Sequence, residues 1–218
     1  LLSFWLKYSL LFRFVLQTLR RFTPALVDWQ DPWNILHADG TVDYLVLKPN
    51  DSKDGGTYEW TGDLEAAKNN ALSFYTETEG VDVYMNELFL VSKRQAELIV
   101  LDLDTMAYTV HSTKFGMFDG QPDQIKRLVK GSRNLLYFCE EGGKENGIHA
   151  RDENGWFYTI AESDELEDET TGLAFSPNGK HMYVSYQHTG IIYDIWREDG
   201  LPFHGKTLNV KYHQLKEH

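Results

Sequence analysis

Three short runs that recur at one spacing limit how this chain can fold. Leu88-Phe89-Leu90-Val91-Ser92, Leu136-Tyr137-Phe138-Cys139-Glu140 and Met182-Tyr183-Val184-Ser185-Tyr186 begin 48 and then 46 residues apart. Each is rich in the aromatic and β-branched types that suit a pleated sheet. A second run follows each of them, at 98–102, 147–151 and 190–194. A further strand follows an acidic turn: 107–110 after Asp102-Leu103-Asp104, and 156–160 after Asp152-Glu153-Asn154-Gly155. A weaker third instance is 207–210 after Glu198-Asp199-Gly200. Ahead of the last unit, Ala174-Phe175 ends at Ser176-Pro177-Asn178-Gly179, where Pro followed by Asn-Gly suits a tight turn with positive φ. Meanders this small cannot bury both faces alone, but stacked copies can. Four strands per unit at a period of about 45 residues is the pattern of a β-propeller blade. The sequence therefore predicts an all-β fold. It would be a partial β-propeller with about three complete four-stranded blades near 80–115, 121–161 and 171–211, plus part of a fourth. An all-β sandwich with evenly spaced strands is the competing arrangement.

Upstream of the repeats the signals change. Residues 1–22 carry Lys7, Arg13, Arg20 and Arg21 and no acid. Leu1, Phe4, Trp5, Tyr8, Leu11, Phe12, Val15, Leu16 and Leu19 recur there at helical spacing, which predicts an amphipathic N-terminal helix. Lys7 and Arg13 divide it into runs short of the ~20 apolar residues of a membrane span, and the charges do not precede the apolar run as in a signal peptide. Residues 1–28 are thus read as a helical segment outside the propeller, with membrane contact left open, and 29–218 as the partial propeller. The chain starts at Leu1 rather than Met and is read as a fragment. A hairpin is expected from 33–36 and 42–47 about Asp39-Gly40, then a polar loop at 50–56 and a short helix over 64–75 capped by Asp63.

The balance of 21 basic against 33 acidic residues, net −12, argues against nucleic acid as a partner, because phosphates would be repelled. It suits cations. One cysteine excludes an intramolecular disulfide. No Ser-His-Asp order, P-loop, Cys-x-x-Cys or His-Glu-x-x-His is present, which leaves serine-hydrolase, nucleotide-binding and zinc-finger readings without support.

The candidate residues lie where strands end. Cys139-Glu140-Glu141 closes one strand and combines a thiol with carboxylates, a mixed set for iron or, through oxygen alone, calcium. Glu79 and Asp123 open successive units, and equivalent entry positions converge on a propeller's channel. Each of these has a plain structural alternative: Cys139 as a core residue, Glu79 and Asp123 as turn caps. Lys93, Arg151, Gln187 and His188 lie beside repeated strands and could hold a phosphate. The six carboxylates between Glu162 and Glu169 are read as a solvated loop.

The stretches TEGVDVY, FDGQPDQ, YFCEEGGKENGIHARDENGWFYTI and TGLAFSPNGKHMYVSYQHTG together resemble the C-terminal blades of PhoX-type alkaline phosphatases. The strongest motif is at 171–190, and the resemblance runs from about Trp33 to the end. It implies a six-bladed propeller holding iron and calcium at one end of its channel and hydrolysing phosphate monoesters, in a secreted or periplasmic setting. The family's iron-binding cysteine lies in a Cys-Glu-Glu motif like that at Cys139, but in an earlier blade. With about half the blades absent, the chain is expected to be poorly active alone, to hold calcium rather than iron, and to associate through open strand edges. Two other readings stand beside this one: a binding propeller without chemistry, and a calcium-dependent lactonase-like propeller.

Overall fold

The structure, a computed structural model, describes residues 11–15, 18–26, 30–114, 118–128, 135–163, 167–203 and 211–213. In chain order the elements begin with β1 (Leu11–Val15), β2 (Thr18–Pro24), α1 (Pro32–His37), β3 (Gly40–Pro49), β4 (Gly55–Thr61) and α2 (Leu64–Phe74). The first repeat is β5 (Thr78–Tyr84), β6 (Glu87–Ser92), β7 (Glu97–Asp102) and β8 (Ala107–Ser112). The second is β9 (Gln121–Arg127), β10 (Leu136–Glu141), β11 (Ile148–Arg151) and β12 (Phe157–Ala161). The third is β13 (Thr170–Phe175), β14 (His181–Tyr186) and β15 (Ile191–Trp196), and β16 (Lys211–His213) closes the described chain.

Each repeat is an antiparallel meander, and the first strands β5, β9 and β13 of neighbouring sheets lie against one another. Sheets fanned out from a shared inner edge are propeller blades, so the fold is the expected partial β-propeller. Strand alternation explains how the blades stack. In β6, Leu88 and Leu90 pack towards Leu45, Leu47 and Tyr75, whereas Phe89 and Val91 pack towards Ile125, Leu136 and Phe138. In β10, Leu136 and Phe138 face the first blade, while Tyr137 and Cys139 face Leu173, Met182 and Val184 of the third. The outer edge of the third blade is exposed, with Ile192 and Trp196 largely open to solvent.

Several expectations upstream are corrected. Residues 1–10, 16 and 17 lie outside the described residues, but 11–15 and 18–24 are antiparallel strands paired with each other instead of a helix, and β2 pairs with β3 (Arg20↔Tyr44). Leu19 is fully buried against the core of the first blade, and Arg21 pairs with Asp43 at 2.8 Å and stacks on Trp60. A short apolar run satisfies strand and helix periodicity alike, and here the open edge of β3 supplies the hydrogen bonds that decide between them. Residues 33–36 belong to α1, which begins with Pro32 where the missing N–H costs nothing. On its other edge β3 pairs with β4, across the polar loop. Through β4 pairing with β8, the first blade becomes part of an eight-stranded sheet, β1-β2-β3-β4-β8-β7-β6-β5. Asp63 caps α2 as expected, its Oδ1 accepting from the N–H groups of Glu65 and Ala66 at 3.0 Å. The strand expected at 207–210 lies outside the described residues, and β16 after it pairs with β12 of the second blade. Among the described residues no helix is long and apolar enough to cross a membrane.

Candidate metal centre

At the point where each inner strand enters its blade, the pairing with the next strand slips. The shift lies between Thr78 and Val81 in the first blade, opposite Phe138–Glu140 in the second, and between Thr171 and Ala174 in the third. Such bulges re-aim side chains and tighten local twist. Glu79 and Asp123 sit on two of them. Gly80 allows the two blades to meet there, since a Cβ at that position would lie 2.6 Å from the Ile125 backbone nitrogen and 2.7 Å from the Asp123 carbonyl oxygen.

Asp123, Glu141 and Glu169 converge, with one ligand oxygen from each lying within 4.8 Å of the others. Asp123 is 3% exposed and Glu169 9% exposed. Glu169 is held from the third blade: its backbone oxygen accepts from the Gln187 N–H at 3.0 Å, and its Oε2 from Gln187 Nε2 at 2.9 Å. Asp168 ties the same loop down, accepting from the N–H groups of His188 and Thr189 and lying 2.8 Å from His188 Nδ1. Lys93 reaches across from the first blade and pairs with Glu141.

The charges are poorly compensated. Burial, and then the Glu79 and Glu169 charges, push the Asp123 carboxyl up to about 6. Burial, with a further contribution from Glu169, raises Glu79, opposed by Lys93. Fully ionised, Glu79, Asp123, Glu141 and Glu169 carry −4 against one ammonium. A divalent cation with oxygen ligands at about 2.4 Å holds any two of them no more than about 4.8 Å apart, a limit that one oxygen each of Asp123, Glu141 and Glu169 meets. Calcium therefore fits the oxygen set.

Of the expected metal residues, Asp123 and Glu141 converge, while Glu79 lies outside the converging ligand atoms but near enough for its charge to act on Asp123. Glu140 points the other way, as strand alternation requires. It is fully buried, accepting from the Gly120 N–H at 2.8 Å and the Gly147 N–H at 3.0 Å, with His149 Nε2 at 2.8 Å. Those three contacts occupy both its oxygens. Cys139 lies in the core between the second and third blades, and its thiol is driven up by burial and then by the nearby Asp123 charge. Among the described residues, neither Cys139 nor Glu140 joins the converging ligand atoms, so a soft iron set is not assembled. Lys93, Gln187 and His188 border the acidic cluster, each engaged with one of its carboxylates or with Asp168, whereas Arg151 lies at the far end of the second blade. Glu169 was not expected at the site. The signal was present, since it falls 46 residues after Asp123, but the surrounding run of acids masked it.

No protein-family model matches the chain, and no curated protein matches it. Among solved structures the chain is similar to regucalcin, a calcium-binding protein from Agrobacterium tumefaciens strain C58. The identity is 15%, over 62% of this chain and 58% of that one, with a TM-score of 0.32. The chain thus spans under two thirds of that protein's length. A likeness this slight says nothing of what the chain binds.

Proposed function

We propose that this chain is a calcium-binding segment of a β-propeller. Asp123, Glu141 and Glu169 would supply the ligand oxygens, and Glu79 additional negative charge beside them. The observation that supports this most is the convergence of three carboxylates, from the second and third blades, within 4.8 Å of one another. Calcium is favoured over magnesium because it tolerates irregular oxygen geometry at 2.3–2.6 Å, where magnesium demands a near-ideal octahedron. Lys93 neutralises Glu141 and would swing aside as the cation took its place. Calorimetric titration tests the proposal. Calcium should bind in the micromolar to millimolar range, and Asp123→Asn and Glu169→Gln should each weaken it about tenfold or more. Unchanged affinity in both variants would overturn it.

The resemblance at 171–190 supports a second reading, in which the assembled propeller hydrolyses phosphate monoesters. A bound cation there would stabilise the developing charge on the phosphoryl oxygens. Lys93 would then orient the ester phosphate at the rim of the cluster. In the assembled propeller, turnover of a chromogenic phosphate ester that needs calcium and fails in Asp123→Asn is the expected result, with little turnover by this chain alone. Calcium binding without turnover would leave the binding propeller as the function.

A further inference from the structure

The inner strand β9 carries an acid, Asp123, where it enters the second blade and a cation, Arg127, where it leaves it. From Asp123 to Arg127 along β9 is four residues, about 13 Å at the rise of an extended strand. At that far end a cleft of about 390 Å³ opens between the first and second blades. Its walls include Tyr84, Phe89, Val100 and Leu136, with Arg127, Arg151 and His111 among the lining polar groups. We propose that this cleft binds a small organic anion, its carboxylate or phosphate group held by Arg151 with Arg127 beside it and its apolar body against Tyr84 and Val100.

Arg151 carries the argument. It comes from the end of β11, and its Nε is buried without a hydrogen-bond partner. Its guanidinium makes no ion pair among the described residues; Nη2 lies 3.4 Å from His111 Nδ1, a weak contact. Burying a guanidinium with a donor unmet is costly, and a bidentate oxyanion is the partner its planar fork matches. Arg127 is 6% exposed, with its guanidinium carbon 4.4 Å from the Phe89 ring centre and 4.9 Å from that of Tyr84. That stacking fixes a second positive charge beside the first. His111 stays neutral above pH about 4, because burial and then the Arg151 charge push it down. It can therefore accept from Arg151 rather than add a third repelling charge.

The acids around the cleft are mostly engaged. Asp152 accepts from the N–H groups of Asn154 and Trp156 and from the Tyr158 hydroxyl. Asp82 accepts from the Arg127 backbone N–H at 2.6 Å and lies 3.5 Å from Lys126 Nζ. Glu153 is exposed on the turn. Glu87 is the half-buried carboxylate whose charge acts on both arginines, and it would compete with an incoming anion.

The experiment is a titration of the full chain at pH 7 with phenyl phosphate, benzoate and neutral benzyl alcohol, read by calorimetry and amide chemical shifts. At least one anion should bind saturably with a Kd of about 1 mM or tighter, and the alcohol should not. Which anion wins tells phosphate from carboxylate. Arg151→Gln should weaken binding about tenfold, Glu87→Gln should tighten it about threefold, and Asp123→Asn should leave it unchanged. Absence of saturable binding by both anions overturns the proposal, as does equal binding by the alcohol. Wild-type affinity in a folded Arg151→Gln also overturns it. Should Arg151→Gln fail to fold, Glu87→Gln decides: unchanged or weaker affinity counts against the site.

Discussion

The two ends of the first two blades are built from the same strands and the same kind of burial, yet they hold opposite charges. At the entry end, Glu79 and Asp123 are raised because burial penalises the carboxylate and neighbouring acids compound the penalty. At the exit end, burial lowers Arg127, Arg151 and His111 by the same physics with the sign reversed. The difference lies in what the chain does about it. The entry end gathers four acids around a single lysine, while the exit end sets its arginines against aromatic faces and engages most nearby acids elsewhere. Each end is therefore strained in a direction that one class of ligand relieves.

The largest expected effect comes from breaking what the two ends share. Phe138 is fully buried between the first and second blades, edge-on to Phe118 and tilted against Phe157. Phe138→Ala should cost about 3–5 kcal/mol in a denaturant melt and loosen both ends together. If either end's binding survived unchanged, the ends would not depend on that common core.

Asp123→Asn should separate them. An acid with a raised folded-state pKa favours the fold below its unfolded value, and that advantage is lost as pH rises through the folded value. Between pH about 4 and 6 the wild type without calcium should thus lose on the order of 3 kcal/mol that Asp123→Asn keeps. Urea midpoints of both proteins across that window measure it, with parallel curves counting against a buried, crowded Asp123. Calcium affinity should rise over the same window as the competing proton leaves.

Glu140 and Glu141 sharpen the contrast one residue apart. Glu140→Gln replaces an acceptor oxygen by a donor in a fully buried network and should cost about 1–3 kcal/mol with little loss of calcium affinity. Glu141→Gln should do the reverse. The smallest effect belongs to Asp63→Ala, which removes the cap of α2 for about 1 kcal/mol and should move neither calcium nor anion binding.

The blades themselves were legible because strand residues and turn residues recur together, as at Leu88, Leu136 and Met182. Their entry acids were legible by the same period, which picked out Glu79 and Asp123. Glu169 obeys it too but was hidden by neighbouring acids that only the fold distinguishes: Asp168 turns to His188 and Thr189, whereas Glu169 turns to Asp123 and Glu141. The choice between strand and helix at 11–24 depended on an edge supplied by β3, a partner distant in sequence. Arg151 was read as a candidate for holding a phosphate, but its neighbours Arg127 and His111 come from other strands, and no local pattern joins them.

The most direct test of the carboxylate centre is a calcium titration followed by the backbone amide shifts of the whole chain. Saturable shifts should concentrate at 79–80, 120–124, 141–143 and 168–170, the segments that carry the four acids, and should need about tenfold more calcium or above in Asp123→Asn. The amides of Tyr84, Arg127 and Arg151 at the opposite end should stay still. Shifts confined to exposed acidic loops such as 50–54, with residues 120–124 and 168–170 unmoved, would contradict the account.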